Sequence, residues 1–106
     1  MDKLEQIREL FKESQDFFNA LGDPIRQELL LSMMGPEFLS VKELANRTKL
    51  TRPTISHHLK IMKNANIISE VKKGRQTFYR PQAGEKFYIV KELIKTIDTV
   101  IENGEK

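Results

Sequence analysis

The ten residues from Thr51 to Lys60, TRPTISHHLK, hold both histidines of the chain, His57 and His58, side by side. Paired imidazoles raise the question of a metal site or a general base. A chelating pair on one helix face requires residues three or four apart. Neighbours on a helix diverge by about 100°, so these two rings do not converge on one ion. Nothing else in the sequence supplies catalysis: it has no serine or cysteine nucleophile motif, no glycine-rich phosphate cradle and no convergent carboxylate pair. Cysteine is absent, which removes disulfides, zinc-thiolate sites and thiol redox sensing. The expectation is a protein that is not an enzyme, with no cofactor and no bound metal.

Charge gives the stretch a different role. Between Val41 and Arg80 stand ten Lys or Arg residues against two acids, Glu43 and Glu70, a net +8; the other residues hold eight bases against thirteen acids, a net −5. A basic middle between acidic ends predicts that the middle faces a polyanion. At 106 residues, 39% apolar and 31% charged, the chain is expected to be one globular domain spanning 1–106. No apolar run approaches the ~20 residues that span a bilayer, and the charged start MDKLEQIREL is no signal peptide. A cytoplasmic location and no membrane partner are expected.

The elements that must position TRPTISHHLK can be read from periodicity. Residues 3–21 carry Leu4, Ile7, Phe11, Phe18 and Leu21 at helical spacing, with Leu10 and Phe17 beside them. Gly22 ends that helix, and Asp23-Pro24 opens the next, whose inner side is expected to be Ile25, Leu29, Leu30 and Met33. Ser40-Val41-Lys42-Glu43 is a capping box for a short third helix bearing Leu44 and Ala45. Thr51 caps a fourth helix to about Ala65, with Pro53 tolerated in its first turn. Branched and aromatic runs either side of Lys73-Gly74-Arg75, over 67–81, predict a two-stranded hairpin. A last helix, 84–103, carries Phe87, Val90, Ile94, Ile97 and Ile101 as a heptad seam, backed by Leu93 and Val100.

Helices three and four, over 40–65, form a helix-turn-helix, and a hairpin tipped by Lys72, Lys73 and Arg75 makes it winged. With Ile55 at zero, Leu59 falls near 40° and Met62 near 340°, defining the core side. Pro53, His57, Lys60 and Asn64 fall at about 140–200°, facing outward, and Ser56 at about 100°. His58, near 300°, flanks the core. Arg52 and Thr54 sit at the helix start, where bases are met and where Arg can pair bidentately with guanine. Lys60, Lys63, Lys72, Lys73 and Arg75 suit phosphates. Arg52, Pro53, Thr54, Ser56, His57, Lys60, Lys63, Lys72, Lys73 and Arg75, with the cap Thr51, are the candidate interface with double-stranded DNA.

On these residues the chain resembles the ArsR/SmtB family of winged-helix repressors. The matching stretches are Ala20 through Arg26 (ALGDPIR), Val41 through Ala45 (VKELA), Leu50 through Lys63 (LTRPTISHHLKIMK) and the hairpin with Lys73-Gly74-Arg75 and Phe78-Tyr79. The resemblance implies a homodimer that binds an inverted-repeat operator and represses transcription, often releasing DNA to an inducer. It places DNA contacts on Arg52, Pro53, Ser56 and His57. Many members sense metals through a cysteine box on the third helix, where this chain has Ser40 and Lys42, and others through Asp, Glu and His on the last helix. Here that helix has Asp98 and Glu102 at i, i+4 but no histidine, a pattern usual for an exposed helix face.

Dimerisation has candidate surfaces in the first and last helices: Leu4, Ile7, Phe11 and Phe18, with Phe87, Val90, Leu93, Ile94, Ile97, Val100 and Ile101. The fold expected is mainly α with a small β-hairpin wing, dimerising through its N- and C-terminal helices. Two alternatives stay open: a sensor induced by a small organic ligand or a carboxylate-bound metal, and a winged-helix protein–protein interaction module. The sequence identifies no effector.

Overall fold

The computed structural model describes residues 2–104. Asp2 caps α1 (Lys3–Leu21), its carboxylate accepting from the Glu5 amide at 2.8 Å. Asp23 does the same for α2 (Pro24–Ser32) through the Ile25 amide at 2.7 Å, with Pro24 in the first turn. A two-residue strand, β1 (Leu39–Ser40), leads into α3 (Val41–Arg47). The capping box closes there in both directions: Ser40 Oγ accepts from the Glu43 amide at 3.1 Å, and Glu43 accepts from the Ser40 amide at 3.0 Å. Then follow α4 (Arg52–Asn64), β2 (Ile68–Lys73), β3 (Gln76–Pro81) and α5 (Glu85–Asn103).

The expected hairpin is present as β2–β3, and β1 adds a third antiparallel strand beside β3, giving the sheet order β1-β3-β2. Leu39 pairs with Tyr79 and Ser40 with Phe78. Two residues are too short for a period-two pattern, and the pairing is tertiary, so sequence periodicity misses it. Leu39 is buried, and the Arg80 guanidinium lies 5.6 Å from the Phe38 ring, which fixes the approach to β1. At the tip, Lys73 pairs with Gln76 across Gly74-Arg75. Gly74 has φ +64°, the left-handed conformation that a Gly-first hairpin turn requires.

The core is built from Phe17, Ala20, Leu29, Met33, Leu39, Leu44, Ile55, Leu59, Met62, Ala65, Ile67, Ile68 and Val90. On α1 the buried line is Ser14, Phe17 and Ala20, so Leu4, Phe11 and Phe18, named as candidate dimer residues, point outward. The inner face of α2 differs from expectation. On α2 Ile25 is exposed, and Arg26 takes the inward place in line with Leu29 and Met33. Helix α5 packs along α1 through an edge-to-face contact of Phe17 and Phe87, centroids 5.9 Å apart, and the Lys86–Asp16 ion pair at 2.8 Å. Lys86 also donates to the Asn64 carbonyl at 3.4 Å, joining both long helices to the end of α4. Gly84 lies so close to Asn66 that a Cβ there would stand 2.7 Å from the Asn66 carbonyl oxygen. Val90 and Leu93, expected on the dimer seam, are 8% and 1% exposed. They hold α5 to its own chain and offer no area to a second copy.

Candidate nucleic-acid interface

Helix α4 presents its outer face because its inner face is locked. Ile55, Leu59 and Met62 are fully buried, which fixes the helix's rotation about its axis. Arg52, Pro53, Ser56, His57 and Lys60 are consequently exposed on one side. The start of the helix is closed by Thr51, whose hydroxyl accepts from the Thr54 amide at 3.4 Å and donates to Thr54 Oγ1 at 2.9 Å. Thr51 thus commits its hydroxyl to the cap that starts the helix at Arg52, while Thr54 Oγ1 serves as its acceptor.

Lys72, Lys73 and Arg75 are exposed at the wing tip, where the Gly74-Arg75 turn holds them clear of the body. Lys63 differs from the other candidates. Its ammonium is paired with the Glu70 carboxylate on β2, so it ties α4 to the wing and is drawn away from a phosphate. Arg52, Lys60, Lys72, Lys73 and Arg75 have no carboxylate partner among the described residues.

The two histidines divide. His57 is exposed and His58 buried, with ring centroids 5.5 Å apart and planes inclined by 58°. His58 Nδ1 accepts from Arg26 Nη1 at 3.3 Å, which assigns the ring proton to Nε2. The same guanidinium donates to the Ala20 carbonyl through Nε at 2.8 Å and to the Asn19 carbonyl through Nη2 at 3.0 Å. Asp23 Oδ2 lies 3.5 Å from Nη1. This cluster joins the end of α1, the start of α2 and the middle of α4. The sequence carried one sign of it: a charged residue, Arg26, at the inward spacing with Leu29 and Met33.

Burial, with lesser help from Arg26 and His57, holds the His58 imidazole below its ordinary value of 6.5, against the opposing pull of Asp23. The folded state therefore disfavours the proton, and the unfolded chain takes it up first. His58's contribution is complete above about pH 6.5 and is lost as the pH falls from there toward the folded value. Urea midpoints should decline as the pH falls below about 6.5. They should decline less in His58→Gln, whose amide oxygen still accepts from Arg26. Equal declines in both proteins would remove His58 as the source.

A winged helix-turn-helix with an unpaired basic outer face defines a class of DNA-binding regulators, and comparison with known proteins gives the family. The model described as "Bacterial regulatory protein, arsR family" matches residues 23–70. The HTH-type transcriptional regulator MJ1325 of Methanocaldococcus jannaschii is 35% identical over 94 residues, covering 85% of this chain and 97% of that protein. The transcriptional repressor SdpR of Bacillus subtilis is 36% identical over 62 residues, 58% of this chain and 68% of that one. Among solved structures, an ArsR-like transcriptional regulator from Rhodococcus sp. RHA1 superposes with a TM-score of 0.64 at 31% identity, covering 89% of this chain and 79% of that chain. The chain belongs to the ArsR/SmtB family and is a winged helix-turn-helix transcriptional regulator, not an enzyme.

Asp98 and Glu102 are exposed on α5. No group of three or more His, Cys, Asp or Glu side chains able to hold a metal occurs among the described residues. No helix among them is long and apolar enough to cross a membrane.

Proposed function

We propose that the protein is a homodimeric, cytoplasmic repressor that binds an inverted-repeat operator in double-stranded DNA and lacks the cysteine and histidine metal-sensing sites common in its family. The observation that carries the DNA reading is the pairing of the exposed α4 face with the unpaired bases of the wing tip. In this arrangement α4 enters the major groove. Arg52, Ser56 and His57 meet base edges, Lys60 meets the backbone, and Lys72, Lys73 and Arg75 run along the flanking phosphates.

Support for a dimer comes from the apolar residues α1 and α5 leave uncovered. Phe11 is 49% exposed, Ile94 60% and Ile101 71%, and Leu4, Phe18 and Phe87 are exposed as well. Leu4, Ile7, Phe11 and Phe18 line a groove of about 560 Å³ along α1. Ile97 and Val100 are half-buried and complete the α5 side. Two-fold pairing of these faces sets two α4 helices in successive major grooves, with half-sites about 10–10.5 base pairs apart or a multiple of that.

The test is selection of duplexes from a random pool, followed by binding to the winner and to scrambled DNA. Arg52→Ala and His57→Ala should erode preference for the selected sequence by about 1–3 kcal/mol each, whereas Arg75→Ala should weaken both duplexes alike. Unchanged preference in both α4 variants would sink the assignment of α4 as the reader. Wild-type binding should itself fall by orders of magnitude from about 50 to about 200 mM salt. Absence of that fall would favour a protein-binding module.

A further inference from the structure

A cleft of about 260 Å³ opens between the start of α3, the start of α4 and strand β3, and the roles given above leave most of it unused. Lys42 stands on its α3 side, Arg52 on its α4 side, and Gln76, Thr77 and Tyr79 on its β3 side. Three features make it an anion site rather than a gap. First, none of the residues lining it is acidic. The nearest carboxylate in sequence, Glu43, is turned back onto the Ser40 amide at 3.0 Å and is committed to the capping box. Second, the side chains of Lys42, Arg52, Gln76 and Thr77 have no hydrogen-bond or ion-pair partner among the described residues, so donors converge there unspent. Third, Tyr79 lines the same cleft with a phenol that is protonated at neutral pH, so this wall carries no negative charge.

The cleft also has the right place. The pairing of Ser40 with Phe78 brings the β1–α3 junction beside the wing, and α4 begins on the other side. A duplex lying against both α4 and the wing must pass its backbone across this gap. We propose that the cleft holds one backbone phosphate of the bound duplex, with Lys42 as its counter-charge and Gln76 and Thr77 as neutral donors to its oxygens. Arg52 adds positive potential from the α4 wall while its fork reaches the groove. The contact carries no sequence information; it sets how far α4 enters and ties its depth to the wing. This rests on the DNA-binding reading, and it gives the third helix and strand β3 roles in the interface that the α4 face and wing tip leave open.

Binding of a labelled duplex as a function of salt tests it. Each phosphate contact contributes about 0.9 to the slope of log affinity against log salt, and a two-fold dimer carries Lys42 twice, so Lys42→Gln should shallow the slope by about 1.8 and weaken binding roughly sixtyfold near 0.1 M salt. The loss should be equal for selected and scrambled duplexes. Gln76→Glu, which sets a carboxylate against the phosphate, should weaken binding on both duplexes as well. Both residues are exposed, so melting curves should stay at the wild-type position. A Lys42→Gln slope equal to wild type, alongside a shallower slope for Lys73→Gln, overturns the proposal while leaving DNA binding intact. A wild type with no salt-dependent duplex binding overturns the DNA reading itself. Inorganic phosphate titrated into the free protein separates the two sources of anion. Amide shifts confined to Lys42 and Thr77, with an unchanged Lys42→Gln slope on DNA, would assign the cleft to a free anion and overturn the duplex assignment.

Discussion

Replacing Arg26 by methionine is expected to lower the unfolding free energy by about 3–5 kcal/mol, because it leaves two helix-end carbonyls and a buried imidazole nitrogen without a donor, at about 1–3 kcal/mol each. For a domain of this size that is a fall in Tm on the order of 10–20 °C. The reason lies in the end of α1. A helix leaves its last four carbonyls without intrahelical donors. Here the Phe18 carbonyl accepts from the Gly22 amide at 2.9 Å and the Leu21 carbonyl from Gln27 Nε2 at 2.7 Å. The two between them, Asn19 and Ala20, depend on Arg26. The last turn of α1 has no basic residue of its own, so Arg26 also supplies the positive charge that the helix's C-terminal dipole favours. Methionine fills similar volume but donates nothing, leaving two carbonyls and His58 Nδ1 unsatisfied together. A loss below about 1 kcal/mol would mean that water or a neighbouring amide replaces the guanidinium, and the cluster would then not be what joins α1 to α4.

That cluster also marks where sequence reading stops. The caps at Asp23, Ser40 and Thr51, the rotation of α4 and the divergence of His57 from His58 are local properties, set by spacing within one helix or one turn. They were legible for that reason. Arg26 and His58 lie 32 residues apart, and no rule of spacing joins them. The charge of Arg26 on an inward stripe hinted at a buried partner without naming it. The two-residue strand β1 and the Lys63–Glu70 pair are of the same kind, made by contacts between elements. In the candidate site, the α4 face followed from helical geometry, but the cleft shared by Lys42, Arg52 and Thr77 exists only once β1 has paired with β3. The apolar stripe of α1 is legible from its spacing, but that Ser14, Phe17 and Ala20 form the inward line depends on which side of the helix α5 covers.

The outward stripe gives the second large effect. Phe11→Glu or Ile94→Glu should convert a dimer into a folded monomer, seen by light scattering at micromolar concentration, with helical circular dichroism retained. Both side chains are exposed in the single chain, so glutamate there does not disturb its core. In a two-fold dimer each substitution occurs twice, and an unpaired carboxylate buried in an apolar seam costs several kcal/mol. Loss of the dimer removes the linkage between half-sites. A second recognition helix already held near its half-site binds at a millimolar effective concentration, so its loss should weaken operator binding by about 10²–10⁴-fold. The salt slope should fall by about half, because half the phosphate contacts go with the second copy. Val90→Glu and Leu93→Glu are the contrast: those residues are buried in the chain itself, and their variants should lose the fold rather than the dimer alone. A wild-type protein that stays monomeric at these concentrations would dismiss the dimer. A monomeric Phe11→Glu protein with undiminished operator affinity would show that one copy reads the DNA unaided.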